Sequence, residues 1–208
     1  MKAGFPFAVC GLVSLSFGCE SAQFADEYRV GIDPAFTANY QTMVTEVVED
    51  WQSKLGPQIH LSITYASCSR SDGDRLICFH PADDALFAIE DNNQGHIGVT
   101  LGTQDSSASS DIYLKLSALT NPTLRRQCTL HEMGHGLGLI HTTLLSPVPT
   151  GKHIMDPGPS IASEDITCED IQQFWSLRTL APAHVCQDVN QPEDAKVPVV
   201  GLVNGNWD

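Results

Sequence analysis

Residues 131–141 read HEMGHGLGLIH, and this run constrains the fold more than any other part of the chain. His131 and His135 are four residues apart, so on an α-helix their side chains project from the same face, one turn apart. A helix that simply continued would carry His141 away from that face. Gly138 lies between His135 and His141. Because glycine accepts a positive φ, it can end the helix and turn the chain sharply. The run therefore predicts a helix that ends near Gly138 and brings three histidines together.

Three histidines gathered in this way predict a metal centre. Two imidazoles one helical turn apart can meet one Zn²⁺ at about 2.0–2.1 Å, and the turn at Gly138 brings His141 back as a third ligand. Three protein ligands leave the fourth position for water, which is the layout of a catalytic zinc. Glu132 lies beside His131 and can reach such a water rather than the metal. We expect one zinc ion on His131, His135 and His141, with Glu132 as the catalytic carboxylate.

The full pattern, H-E-x-x-H-x-x-G-x-x-H, resembles that of the metzincin zinc metalloproteases and is most similar to their matrixin-like branch, over roughly residues 27–180. Metzincins place a methionine turn beneath the metal, and residues 153–157 (HIMDP) fit that role, with Met155 as the hydrophobic floor. Asp156 stands where matrixins usually have tyrosine. Residues 166–171 (ITCEDI) look like the start of the matrixin C-terminal helix. The structural calcium and second-zinc loops of animal matrixins are not recognisable, so the sequence supports one catalytic zinc and gives no support for structural calcium.

Apolar spacing gives an element order that agrees with this resemblance. Alternation predicts strands at residues 27–32 and 59–65, and further strands are predicted at residues 75–79, 96–101 and 111–116. Steps of three and four predict a helix that starts at Asp33-Pro34 and stops at Gly56, and Asn121-Pro122 opens the helix that carries the histidines. Thr167 opens a last helix, with Asp170 in the capping-box position.

The predicted fold class is α/β (α+β). The resemblance implies a metzincin-like catalytic domain with a mixed, mainly parallel five-stranded twisted sheet, a backing helix, a zinc helix, a Met-turn and a C-terminal helix. It further implies that the fourth strand is an exposed antiparallel edge on which a substrate lies as an added strand, held by main-chain hydrogen bonds. That strand comprises His96, Ile97, Gly98, Val99, Thr100 and Leu101.

The resemblance implies a zinc-dependent endopeptidase, in which zinc and Glu132 activate a water for attack on a peptide carbonyl. Two alternatives stay open. The motif does not fix the acyl group, so a zinc amidase acting on a non-peptide amide is one. A binding module that has kept the metal and lost catalysis is the other, although the presence of Glu132 argues against it.

The N-terminal segment has the pattern of an export signal. Lys2 precedes an uncharged and mostly apolar stretch, residues 3–18, which has the length of a signal peptide. Residues 16–19 (SFGC) resemble a bacterial lipobox, so a lipid anchor at Cys19 and plain secretion both stay open. We divide the chain into a signal peptide (1–18), a short linker (19–26), the peptidase domain (27–181) and a C-terminal tail (182–208). The protein is expected outside the cytoplasm, secreted or anchored to the cell envelope by lipid.

The chain has seven cysteines, of which five follow residue 19, and none forms a CxxC pair. Cys68 and Cys78 flank a short polar loop between two predicted strands, which suits a hairpin disulfide. Cys168 and Cys186 form a second candidate pair, which would tie the last helix to the tail. Cys128 lies three residues before His131 and is predicted to be a buried thiol rather than a ligand.

Charge restricts the partners. Asp and Glu outnumber Lys and Arg by 25 to 11, for a formal net charge of -14. Such a chain repels nucleic acid and anionic lipid surfaces. We expect a peptide or protein substrate, no nucleic acid, contact with a membrane only through a lipid at Cys19, and a monomer, since nothing in the sequence indicates a coiled coil.

Overall fold

The computed structural model describes residues 26–90, 96–102, 109–141, 153–156 and 165–178. The strands in these ranges are β1 (Asp26–Ile32), β2 (Ile59–Thr64), β3 (Leu76–Ala82), β4 (Gly98–Gly102) and β5 (Ser110–Lys115). The helices are α1 (Ala38–Leu55), α2 (Asp84–Glu90), α3 (Pro122–Gly136) and α4 (Cys168–Ser176). None of the helices in the described ranges is long and apolar enough to cross a membrane.

The five strands form one mixed sheet in the order β2-β1-β3-β5-β4. The first three pairings in that order are parallel, and β4 runs antiparallel to β5, with Thr100 opposite Ile112. The predicted fold class, a mixed and mainly parallel five-stranded sheet with helices, is therefore confirmed. Within the described ranges β4 is an edge strand, paired on one side alone.

The core lies between the sheet and the two long helices. The central strands contribute continuous buried runs, residues 30–32 of β1 and residues 76–79 of β3, as in a mostly parallel sheet that is buried on both faces. From α1, the residues at steps of three and four that face this layer are Val44, Val47, Val48, Trp51 and Leu55. The Trp51 indole N–H donates to the carbonyl oxygen of Leu130 at 3.2 Å, which fixes α1 against α3. The helix that carries the histidines therefore packs against a rigid support.

Three local features differ from the sequence prediction. The edge strand begins at Gly98 and not at His96, because only Gly98–Gly102 pair with β5, so His96 and Ile97 lie before it.

The other two differences concern helices. The first long helix begins at Ala38, with Thr37 as its N-cap, and not at Asp33-Pro34. Asp33 instead accepts the Ala35 N–H at 2.8 Å and the Phe36 N–H at 3.1 Å, so its capping groups close a separate turn before the helix. No helix was predicted between the third and fourth strands, where α2 lies, because seven residues are too few for a helical period to be recognised.

One predicted disulfide is present, and other expectations fall outside the described ranges. Cys68 and Cys78 are bonded, and Cys128 is buried, as predicted. Cys186 is not among the described residues, so its pairing with Cys168 stays a prediction. The same holds for the signal peptide, the lipid anchor at Cys19 and the C-terminal tail.

Candidate metal centre

Helix α3 starts with an N-cap residue followed by proline, Asn121-Pro122. The Asn121 side chain accepts the N–H groups of Thr123 and Leu124 at 2.9 and 3.3 Å, and Pro122 occupies the first turn, where no backbone donor is needed. These caps fix where the helix begins.

The helix ends in a glycine-dependent turn. Gly138 has a φ of 92°, a conformation that side-chain-bearing residues rarely adopt. The Leu139 N–H donates to the Gly134 carbonyl at 3.0 Å and the Gly138 N–H to the His135 carbonyl at 2.9 Å, which together form a Schellman motif. This turn reverses the chain and places His141 beside the helix.

The three imidazoles meet at one point. The Nε2 atom of His131 lies 3.1 Å from that of His135 and 3.2 Å from that of His141. The Nε2 atoms of His135 and His141 are also 3.2 Å apart. Two ligands of a tetrahedral zinc, each about 2.0–2.1 Å from it, stand about 3.3 Å from each other. The triangle of nitrogens therefore has the size that one tetrahedral metal ion requires.

The other ring nitrogens fix the protonation of two of these ligands. The Nδ1 atom of His131 lies 2.7 Å from the Ile154 carbonyl oxygen, and that of His135 lies 2.8 Å from the Leu139 carbonyl oxygen. A carbonyl oxygen only accepts, so both Nδ1 atoms carry the proton. In the neutral ring the Nε2 lone pair is then free, and it points to the centre of the triangle, as in other histidine metal sites.

Burial keeps these rings neutral. Desolvation is the main cause that lowers the pKa of His131 to about 4 and that of His135 to about 3. Desolvation also lowers the pKa of the half-buried His141, and His96 adds to this by charge repulsion. At neutral pH the three imidazole rings are therefore uncharged, which is the form that binds a metal.

Glu132 lies between α3 and the edge strand. Its carboxylate oxygen Oε2 accepts the Thr100 hydroxyl at 2.7 Å. A Cβ atom added to Gly98 would come within 2.8 Å of the Glu132 Cγ and 2.9 Å of its Oε1, so β4 passes directly against this side chain. The strand expected to receive substrate and the expected catalytic carboxylate are thus in contact.

The described part of the expected Met-turn, residues 153–156, lies under α3. Met155 is fully buried, and a Cβ on Gly134 would overlap its sulfur atom. The absence of a side chain at Gly134 therefore lets the thioether pack against the helix backbone between the first two histidines. Asp156 is buried and accepts the His153 N–H at 3.3 Å, within the turn. Residue 157, the last of the expected turn, is outside the described ranges.

Helix α4 supports the centre from the other side. Thr167 and Asp170 form the predicted capping box. Asp170 Oδ2 also accepts the Ile154 N–H at 3.4 Å, so the carboxylate that caps α4 also holds the turn behind His131. The Gln173 side chain donates to the Ile140 carbonyl at 3.1 Å, next to His141.

A second group of ligand-type side chains lies on the sheet, where Cys78, His80 and Asp111 are mutually within 4.8 Å. The sulfur of Cys78 is bonded to Cys68 and is therefore not a thiolate. His80 has Asp111 at 3.3 Å from Nε2 and Asp33 at 3.8 Å from Nδ1. This arrangement is a histidine held between two carboxylates, and it does not offer three ligands to one ion.

The sequence identified the three histidines, Glu132 and Gly138, and the structure brings all five into one region. Nothing in the sequence indicated the contacts of the Ile154 and Leu139 carbonyl oxygens, because every residue has a backbone carbonyl. The contact of Thr100 with Glu132 was also missed. The sequence predicts Thr100 only as part of the substrate strand. Its hydrogen bond to Glu132 becomes predictable once β4 is known to lie beside α3.

Comparisons with known proteins find similarity to solved structures. No protein-family model matches the chain, and neither does any curated protein. Among solved structures, an archaemetzincin from Methanopyrus kandleri aligns with a TM-score of 0.46 and 11% sequence identity, covering 76% of this chain and 98% of that chain. The matrixin-like branch stays a prediction from the sequence.

Proposed function

We propose that this protein is a zinc-dependent endopeptidase that acts outside the cytoplasm. The observation that carries the proposal is the convergence of three histidine Nε2 atoms, 3.1–3.2 Å apart, next to the carboxylate of Glu132. Three imidazoles and no thiolate form the ligand set of a catalytic zinc. His131, His135 and His141 would hold the ion.

Bound zinc supplies Lewis acidity, which makes a water more acidic and stabilises the negative charge that develops on a carbonyl oxygen. Glu132 takes the proton of the attacking water and delivers it to the leaving amine. The carbonyl partners of His131 and His135 keep the two rings oriented throughout. The Thr100 hydroxyl holds the Glu132 carboxylate at 2.7 Å.

Peptides are the proposed substrate class because β4 offers an edge for strand addition. In the described ranges β4 pairs with β5 alone, so its other side can bond to an extended main chain. Its Gly98 lies against the Glu132 side chain, so an added strand would lie near the proposed catalytic carboxylate. Substrate length and side-chain preference would depend on residues beyond this strand.

The location outside the cytoplasm is supported by two independent features. The Cys68–Cys78 disulfide is of the kind that persists in oxidising compartments. The uncharged N-terminal stretch has the pattern of a signal peptide, with Cys19 as a candidate lipidation site. We propose a monomer that contacts protein substrates and no nucleic acid.

The test compares the full chain with two variants, all produced in an oxidising host. Metal content is measured by inductively coupled plasma mass spectrometry, and cleavage is measured on a diverse peptide pool. We expect one zinc per chain and peptide cleavage for the wild type, zinc without cleavage for Glu132→Ala, and no zinc for His135→Ala. A Glu132→Ala protein that cuts at the wild-type rate contradicts the assignment. A wild type that binds zinc and cuts no peptide contradicts the peptidase proposal and favours a non-peptide amidase or a binding module.

A further inference from the structure

We infer that Thr100 on the edge strand is a positioning residue that holds the carboxylate of Glu132 in one orientation. Where the inference concerns turnover it rests on the proposed peptidase function. Where it concerns the contact itself it does not, and the two parts can be tested separately.

The hydrogen bond distances assign the Thr100 proton to the carboxylate. The hydroxyl has a single hydrogen and two acceptors within reach, Glu132 Oε2 at 2.7 Å and the Glu132 carbonyl oxygen at 3.1 Å. The first distance is typical of an O–H···O bond to a charged oxygen, and the second is long for any O–H donor. The stronger acceptor at the shorter distance therefore takes the proton.

Gly98 completes the seat for the carboxylate. Gly98 and Thr100 are two residues apart on β4, so both face α3. A Cβ at Gly98 would lie 2.6 Å from the Cys128 sulfur and 2.9 Å from Glu132 Oε1. Since its φ is not among the positive values, the requirement for glycine here is one of space and not of backbone conformation. The strand thus contributes a donor to one carboxylate oxygen and a flat surface to the other.

This seat restricts a side chain that otherwise has several rotamers. A glutamate on a helix surface loses side-chain entropy when it is held in one orientation, and a hydrogen bond to a charged group can offset that loss. Proton transfer requires the carboxylate within hydrogen-bond reach of the water. Displacement by about 1 Å can lower a rate by about 100-fold. The strand that is proposed to pair with substrate therefore also positions the base.

The contact is tested without activity by unfolding of the metal-free protein in urea. We compare Thr100→Val, which keeps the shape and removes the hydroxyl, with Thr100→Ser, which keeps the hydroxyl, in the wild-type and Glu132→Ala backgrounds. We expect Thr100→Val to lower the unfolding midpoint clearly more in the wild-type background than in Glu132→Ala, and Thr100→Ser to show a smaller difference. In the Glu132→Ala background the hydroxyl can donate to the residue 132 carbonyl instead. A bond to that neutral oxygen is weaker than one to the carboxylate, so the loss there is smaller. Equal losses in the two backgrounds overturn the inference.

The positioning role is tested on the zinc-loaded protein. We expect Thr100→Val to lower kcat by about 10- to 100-fold with KM and zinc content unchanged, and Thr100→Ser to restore most of it. A Thr100→Val enzyme with unchanged kcat overturns the positioning role. If the wild type cleaves nothing, the proposed function has failed, and the urea experiment still decides whether Thr100 holds Glu132.

Discussion

The Nδ1–H of His131 donates to the carbonyl oxygen of Ile154 at 2.7 Å, so a turn 23 residues further along the chain orients a candidate metal ligand. The N–H of the same Ile154 donates to Asp170 Oδ2 at 3.4 Å. A continuous chain of contacts therefore runs from the N-terminus of α4 through the turn at residues 153–156 to the ring of His131. Metal binding on α3 should consequently depend on a carboxylate that never approaches the metal.

Replacement of Asp170 by alanine should weaken metal binding with all three histidines present. The change removes the acceptor of the Thr167 cap and of the Ile154 N–H, so the turn behind His131 loosens. We expect about 10-fold weaker zinc affinity in a chelator competition and a loss of about 1–3 kcal/mol in the free energy of unfolding.

Two variants on α4 serve as controls for this change. Asp170→Asn keeps an oxygen acceptor in place and should lose less of both quantities. Gln172→Ala alters an exposed residue of the same helix and should change neither. Zinc affinity of Asp170→Ala equal to that of Gln172→Ala would show that α4 does not support the ligand.

Gly138→Ala should both destabilise the protein and impair the metal centre. A side chain at a φ of 92° costs about 1–2 kcal/mol of conformational energy. Relief of that strain opens the turn that returns His141 to the helix, so zinc affinity should fall along with the unfolding midpoint.

Gly56→Ala is the matched control for the glycine turn. Gly56 ends α1 with a φ of 81° and has open space where a Cβ would lie. It should therefore lose a similar amount of stability and keep full zinc affinity. If both alanine variants bind zinc as the wild type does, the turn at Gly138 is not what positions His141.

The stability of the metal-free protein should fall as pH decreases below about 6.5. Desolvation lowers the pKa of His131 to about 4 and that of His135 to about 3, whereas the ordinary value of 6.5 applies in the unfolded chain. Between these values the unfolded state binds more protons, so acid favours unfolding, and the effect levels off near the folded pKa values.

The histidine effect is best measured between pH 6.5 and about 5, above the range in which ordinary carboxylates titrate. Urea unfolding midpoints of the wild type should decrease across this window. A double variant, His131→Gln with His135→Gln, should show a flatter dependence because its amides do not titrate. Identical slopes for the two proteins would mean that other groups cause the pH dependence.

Loss of the Cys68–Cys78 disulfide should affect stability and spare the metal. The bond closes a loop with a sequence separation of 10, for which chain entropy predicts a contribution of about 2–3 kcal/mol. A variant with both cysteines changed to serine should unfold at correspondingly lower urea concentration and still bind one zinc, since no ligand lies on that loop. Reduction of the wild type by a phosphine should reproduce the loss, and a loss of zinc would contradict this separation of roles.

Much of the fold was predictable where a local pattern was complete. The strands β1 and β2 follow from alternation, and the starts of α3 and α4 follow from the N-caps at Asn121 and Thr167. The start of α1 was not predictable from its cap-like residues, because Asp33 closes a turn of its own first. Helix α2 is too short for its period to appear in the sequence.

The sequence by itself determined the ligand types and their spacing. One helical turn between His131 and His135, and a glycine before His141, suffice to bring three imidazoles together, because helix geometry and glycine φ are local properties. The tertiary structure alone decided what surrounds those imidazoles. The carbonyl of Ile154, the carboxylate of Asp170 and the hydroxyl of Thr100 reach the centre from three separate segments. Such contacts depend on how helices and strands pack. Packing brings together residues that are far apart in the sequence, and their spacing does not predict that they will be in contact.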